Sequence, residues 1–477
     1  MRKQGWLGLA VATMLGGLAG DASGADYYVD GEHGSASDAG PGTEQAPWLT
    51  IQHAADTVAP GDTVFVKAGT YAERVVLSTS GTAGSPIRFV AEPRRSAYMH
   101  GFNTSGADYV RIEGFDITNS PSFQEWDETQ GVLIDSDYVE VIDNYFHEMT
   151  GTAIVGYWHD PFPQSATVAD NEIHHMQMGI TVQGTGWVVE NNELSRLYMF
   201  GSGDCDYMRL FGDDHVIRNN RMHGTSIDEI GSAHVDCFQT FDNNGEHLRD
   251  VLVDGNTCSD FHQGFMGSAE FHQASSNITF MNNVFAHGWA WGLSVHQITN
   301  VTALYNTFVD IEHHGIGFRD NSTGNVVQGN IFFGTGTSYW ASDGGEVTGD
   351  YNLVFDANDP STVGAHDLIG QDPSFVDAAN DDFRLSPGSP AIDAAADATE
   401  VDHDHDGTLR PQGAGWDIGA FEYCENGCAT GGSGGAGGTA TGGSGATGAT
   451  GGSGTAGGAP SQSPSDDGGC GCRLDAR

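Results

Sequence analysis

The chain has 477 residues, of which only 38% are hydrophobic and 69 are glycine, and its 64 acidic residues against 18 Lys plus Arg give a formal charge of -46. Nucleic acid is not an expected partner, because phosphate binding needs basic surface. So low an apolar share with so much glycine argues against one large globular core and for repeats that each bury a thin strip and spend glycine on their corners.

Residues 1–25 read as a secretory signal. Arg2 and Lys3 precede the apolar stretch Trp6 to Leu18, and the small residues Ser23 and Ala25 suit cleavage before Asp26, so export is expected. The apolar stretch is too short to span a bilayer, and no integral membrane segment is expected elsewhere. Export makes disulfides available to the seven cysteines. Cys205 and Cys237, at nearly matching points of neighbouring repeats, are the expected bridge. Cys424 with Cys428 is expected to close a small loop, and Cys258 is read as a buried thiol.

The chain continues YYVDGEHGSASDAGPGTEQAPWLTIQHAADTVAPGDTVFVKAGTYAERVVL. Thr50 can cap a short amphipathic helix carrying Ile51, Ala54, Ala55 and Val58, and Pro60-Gly61-Asp62 turns the chain into a strand from Thr63 to Lys67. A helix laid there covers the open edge that a wound sheet must protect. The run from Gly42 to Trp48, Ile51 and Ala54, GDTVFVKAGTY and SPIRFVAEP together resemble the cap and first coils of secreted right-handed parallel β-helix proteins of the pectate-lyase-like superfamily. The resemblance extends from about Asp26 to Tyr423. It implies an all-β right-handed parallel β-helix of roughly 10–12 coils with an N-terminal capping helix, and a polysaccharide substrate.

The coils themselves are marked by a recurring asparagine at Asn144, Asn171, Asn192, Asn220, Asn256, Asn283, Asn306, Asn330 and Asn352. Its spacings of 27, 21, 28, 36, 27, 23, 24 and 22 residues are the length of one solenoid coil. An asparagine at one turn of every coil tolerates a left-handed backbone and can hydrogen-bond its equivalent in the next coil. Cap and coils are expected over 26–376, and a closing segment over 377–428.

After each asparagine comes a short strand, and these align on an inward apolar residue: Ile180, Met208, Phe238, Phe265, Leu293 and Ile316. Two residues earlier the column reads Met178, Asp206, Asp236, Gln263, Trp291 and His314. Four earlier it reads Asp204, His234, Phe261, Trp289 and Glu312, and one later Thr181, Arg209, Gln239, Met266, Ser294 and Gly317. Ionisable groups thus concentrate in two neighbouring coils, DCDYMR (204–209) and HVDCFQ (234–239). Strand alternation points Asp206 and Asp236 inward, so a bulge or turn just before the strand is needed to expose them.

Coils stack at about 4.8 Å, which brings the carboxylates of Asp206 and Asp236 close together. Close carboxylates repel unless a cation lies between them or one keeps a proton. With Asp204 as a third ligand the site can hold Ca²⁺. As acid and base, Asp206 and Asp236 can instead flank a glycosidic bond. A buried polar network neutralised by Arg209 is the purely structural alternative. His234 and Arg209 are the basic groups able to move a proton, and Asp236→Asn is expected to abolish activity without changing the far-ultraviolet CD. Gln239 can orient a hydroxyl. Trp289, Trp291, His296, His314 and Arg319 continue the face as a candidate cleft for an extended glycan, since aromatic rings stack on sugars. Trp126 and Trp158, with Asp127, His159 and Asp160, are candidates for a second wall.

In the closing segment, Asp402, Asp404 and Asp406 before Gly407 alternate as in the first half of a calcium loop, but position 12 is Gly413 rather than glutamate, so this is no EF-hand. The three remain a weaker candidate calcium site, with help from Asp417. Residues 429–459, almost wholly Gly, Ala, Ser and Thr, read as a flexible tether of roughly 30 Å r.m.s. span. The tail over 460–477 resembles the start of short Cys-Gly-Cys sorting signals of bacterial surface proteins, without the apolar span and arginine cluster that follow in them. Display at a cell surface is what that resemblance implies.

The superfamily resemblance implies a calcium-assisted polysaccharide lyase: Ca²⁺ acidifies the proton beside a uronate carboxylate, a base removes it, and β-elimination follows. Lysine or arginine is the base in several of its families. The only lysines are Lys3 and Lys67, remote from the acidic coils, so Arg209 or His234 must serve. A glycoside hydrolase built on Asp206 and Asp236, and a non-catalytic surface adhesin or glycan-binding stalk, are the alternatives. The protein is expected to act as a secreted monomer.

Overall fold

In the computed structural model, the described residues are 24–428 apart from 120–124, 200–203, 243–245, 270–273, 360–361, 399–400 and 426. Most of the leader, the tether and the tail lie outside them. Thirty-four strands form one continuous parallel sheet wound through about 10 turns. The expected fold class is therefore the observed one.

The cap forms as its sequence dictates. The Thr50 hydroxyl accepts from the His53 N–H at 3.2 Å, and helix α1 (Ile51–Thr57) buries Ile51, Ala54 and Ala55. Glu73 closes the remaining donors by accepting from Ile51 and Gln52 N–H at 3.1 and 2.9 Å. The strand Thr63–Thr70 follows and pairs in parallel with both Asp26–Val29 and Ile87–Met99.

Every repeated asparagine from Asn144 to Asn352 is buried. Each donates its backbone N–H and its side-chain Nδ2 to Oδ1 of the next, as at Asn220 and Asn256, both at 2.9 Å. At the far end Asn352 donates to Asp367 Oδ1, which caps the ladder. The left-handed residue, however, is the one before each asparagine: Asp143, Asp170, Asn191, Asn219, Gly255, Asn282, Tyr305, Gly329 and Tyr351 all have φ between 52° and 69°. That residue turns the chain, and the turn aims the following asparagine inward, where its amide is shared between the next asparagine and backbone carbonyls such as that of Val189 for Asn220, at 2.9 Å.

The disulfide expectation is half right. Cys424 bonds Cys428, but Cys237 bonds Cys258, and Cys205 is a buried free thiol. Cys205 is in register with Val235, two residues before Cys237. One coil rise and two strand steps separate Cys205 from Cys237 by roughly 8 Å, beyond disulfide reach. Cys237 faces the interior, where Cys258 meets it.

The closing segment lies along the flank of the later coils. Its hairpin pairs Phe375–Asp377 with Asp382–Leu385. Tyr305 packs with Ala398 and Val401, while Ile331 and Leu353 pack with Leu385, Ala391 and Ile418. At its centre Arg410 and Glu422, both fully buried, pair at 2.8 Å, and the guanidinium lies 4.8 Å from the Tyr305 ring centre.

Candidate functional site

Seven consecutive rungs build one outer face: β1 (Met178–Val182), β2 (Cys205–Leu210), β3 (Val235–Thr240), β4 (Thr257–Ser268), β5 (Val284–His296), β6 (His314–Arg319) and β7 (Thr337–Ala341). Asp206 is in register with Asp236 and Arg209 with Gln239. Two consecutive residues point into the core on each of these rungs, Tyr207 with Met208 and Cys237 with Phe238. The Tyr207 hydroxyl, for example, meets Thr225 Oγ1 at 2.6 Å. This break in alternation is a bend inside the strand, not just before it as the sequence had required, and it puts Asp206 and Arg209 on the same outer side.

The bend does not expose the acids, because Arg209 and Gln239 fold back over them. Arg209 Nε donates to Asp206 Oδ2 at 2.7 Å, and Gln239 Nε2 donates to Asp236 Oδ2 at 3.1 Å. Asp206 and Asp236 are both 0% exposed, whereas the Arg209 and Asp204 side chains keep 15% and 21%. The expected direct roles of Asp206 and Asp236 as acid, base or glycosidase pair are corrected accordingly: a sugar cannot enter between two stacked, covered carboxyls. They hold Arg209 and Gln239 in place from beneath, and the groups left partly exposed are Asp204, Arg209 and His234.

Burial pushes the Asp206 carboxyl up to about 7 against the pull of Arg209, and burial together with Asp206 and Asp204 raises Asp236 well above the carboxylate range. The charge therefore stays on Asp206, beside the guanidinium, and Asp236 holds the proton. Unfolding drops both toward 3.8, so the folded state binds more protons from about pH 4 upward, through about 7 for Asp206. The stability contribution of the pair is thus greatest below about pH 4 and falls as pH rises through the raised values, about 7 for Asp206 and on toward that of Asp236. Asp236→Asn mimics the protonated acid and removes one titrating group. Urea unfolding at pH 4.5 and 8 is expected to show the variant gaining stability relative to wild type at the higher pH; parallel curves would refute proton sharing.

The donor set fits Ca²⁺ poorly. Asp206 Oδ2 is taken by Arg209, and its Oδ1 accepts from Asp236 N–H at 3.3 Å. Asp204 Oδ2 lies 3.4 Å from Gln239 Nε2 and 3.6 Å from Arg209 Nη2, so a guanidinium occupies the place of a metal ion. Among the described residues no group of three or more His, Cys, Asp or Glu side chains is arranged to hold a metal. The weaker candidate fails on its own geometry. Asp404 spends both oxygens on the N–H groups of Asp406, Thr408 and Glu422. Asp402 and Asp406 pair instead with His403 and His405, and Asp417 accepts from Asp393 and Tyr423 N–H. These acids tie the closing segment together.

Beyond β3 the face continues through rings. His234 lies 5.3 Å from His262, which lies 5.1 Å from Trp289, both edge-on. His262 escaped the sequence alignment, which put Phe261 in this column. A register shift between Phe261 and Gln263 turns Phe261 into the core and His262 outward. Burial, then His234, lower the His262 imidazole to about 4, so it is neutral at pH 7. Further on, Arg319 lies over Trp291 and over Trp340, another residue the alignment missed. His314 meets the Trp340 ring edge-on at 5.1 Å, and His296 Nδ1 lies 2.8 Å from Asp320. On the other side Trp158, Phe211 and Phe241 pack in sequence at 4.9 Å, and Arg209 lies 5.7 Å from the Phe241 ring. Trp158 thus joins this flank. Trp126 packs on Tyr157, His159 pairs with Asp135, and neither is tied to Arg209 by these contacts; the Asp127 side chain lies outside the described residues.

Fold and face together define a right-handed parallel β-helix. A family model described as Pel9A-like, right handed beta helix region, matches residues 27–193, and a second, right handed beta helix region, matches 162–358. The chain is 26% identical over 446 residues to the Bacillus subtilis (strain 168) "Uncharacterized protein YwoF", covering 77% of this chain and 92% of that one. Among solved structures, pectate lyase Pel9A superposes with a TM-score of 0.52 at 19% identity, over 84% of this chain and 97% of that one. A complex of XylC with xylose superposes at 0.54 and 12%, over 85% and 99%. These likenesses establish the fold.

Proposed function

We propose that the protein is an exported carbohydrate-active enzyme, a polysaccharide lyase whose active site is the β2–β3 rung. The observation carrying this reading is Arg209, aimed by a buried carboxylate 2.7 Å away and left partly open beside His234 on an outer face lined by Trp289 and Trp291. Arg209 takes the uronate carboxylate and stabilises the charge that builds on it as the adjacent C–H bond breaks. His234 accepts that proton, the C–O bond to the departing sugar breaks, and His234 returns the proton to the departing oxygen. The products are an unsaturated sugar and a new hydroxyl.

Product analysis on uronate-containing and neutral polysaccharides tests this. Ultraviolet-absorbing unsaturated ends are expected from the acidic polymers. New reducing ends without that absorbance would replace elimination by hydrolysis, and retention without cleavage would make the protein a glycan-binding stalk. Calcium assistance requires Arg209 to leave Asp206, so chelation is expected to leave turnover unchanged. A loss restored by Ca²⁺ would return Asp204, Asp206 and Asp236 to a ligand role.

A further inference from the structure

Arginines in this strongly acidic chain are mostly ion-paired: Arg94, Arg95, Arg111, Arg218, Arg249 and Arg410 each hold a carboxylate. Arg319 makes no ion pair among the described residues. Its neighbour Asp320 is engaged elsewhere, with Oδ2 2.8 Å from His296 Nδ1. What surrounds the guanidinium is instead aromatic, its carbon 5.1 Å from the Trp291 ring centre and 5.6 Å from that of Trp340. Gly317 makes room for this clamp, since a Cβ there would lie 3.0 Å from the Trp340 indole. The polar groups gathered here are donors short of acceptors. Arg319 Nη2 reaches Ser294 Oγ only at 3.4 Å, and Arg319 Nε and Trp340 Nε1 are buried without any partner.

A rigidly stacked cation with unspent donors suits a ligand that only accepts hydrogen bonds and carries negative charge. The register Arg209–Gln239–Met266–Ser294–Gly317 places Arg319 four coils from Arg209 on the same face. At about 4.8 Å per coil that is roughly 19 Å, the span of an oligosaccharide rather than of one sugar.

We propose that Arg319, clamped between Trp291 and Trp340, is an oxyanion subsite that reads a carboxylate or sulfate several sugars away from Arg209 on an acidic glycan. The proposal rests on reading this face as the glycan-binding face. The test is calorimetric titration of full-length protein carrying His234→Ala, so that ligand is not consumed, with short and long oligouronates, sulfated oligosaccharides and neutral oligosaccharides. Adding Arg319→Gln is expected to weaken binding of the long acidic ligands about tenfold or more, with short and neutral ones unchanged. Arg319→Lys, which keeps the charge without the planar fork, is expected to fall between. Loss with uronates alone or with sulfated ligands alone identifies the oxyanion, and either supports the subsite. Long acidic ligands bound equally well with and without Arg319, in variants whose CD is native, would overturn it. Equal weakening for neutral ligands would overturn it too. The wild-type product assay separates the two readings: cleavage of acidic glycans with Arg319-independent affinity removes the subsite alone, and Arg319-dependent binding without cleavage removes the lyase alone.

Discussion

Replacing His234 with alanine is expected to lower turnover on an acidic polysaccharide by at least about a hundredfold, the usual scale for losing a positioned proton acceptor. The fold should be untouched, because His234 is only partly buried and the core residues of its rung are Val235, Cys237 and Phe238. The neutral His262 ring, 5.3 Å away, does not replace it as a base, since its imidazole holds a proton only below about pH 4 and has correspondingly little basicity. Initial rates from ultraviolet absorbance, with native CD as the control, decide the matter. Turnover within a few-fold of wild type would take the proton transfer away from His234. Arg209→Ala is the less informative change, because it also strands the buried Asp206 carboxylate and destabilises the rung.

Glu422→Gln is expected to cost about 3–5 kcal/mol, because it leaves the fully buried Arg410 guanidinium without its counter-charge. Glu422 does more than pair with Arg410: its carboxylate also accepts from Asp417 and Gln412 N–H at 2.9 and 3.0 Å. Arg410 in turn donates to the carbonyls of Asp417 and Gly419 at 3.1 and 2.8 Å. The closing segment touches the coils next to this pair, where Ala420 N–H reaches Thr307 Oγ1 at 3.0 Å and His405 reaches Thr257 at 2.9 Å. The variant should therefore lose the closing segment first, seen as protease cuts within 371–425 at temperatures where the coils still give native CD. A melting curve and digestion pattern identical to wild type would show that the pair carries no load.

Side chains that repeat were legible in the sequence, and those set by register were not. The asparagine ladder could be read from spacing alone, because a buried amide recurring once per coil falls within hydrogen-bond reach of the same residue in the next coil. Thr50 as a helix cap and the Cys424–Cys428 loop are local, within a few residues, and were legible for that reason. The Cys205–Cys237 pairing failed because a two-residue offset between coils cannot be seen in an alignment that lacks geometry. His262 was missed because one register shift reverses which of two adjacent residues faces out.

By itself, the order of residues determined the wound parallel sheet, its cap and the gathering of Asp204, Asp206, Arg209, His234 and Asp236 on neighbouring rungs, since coil length and strand period are one-dimensional properties. Only the tertiary structure decided which of those groups meet solvent. The bend at Tyr207 and Cys237 brings Arg209 and Gln239 down over two carboxyls, and the low dielectric beneath them keeps a proton on one, which no spacing in a sequence encodes.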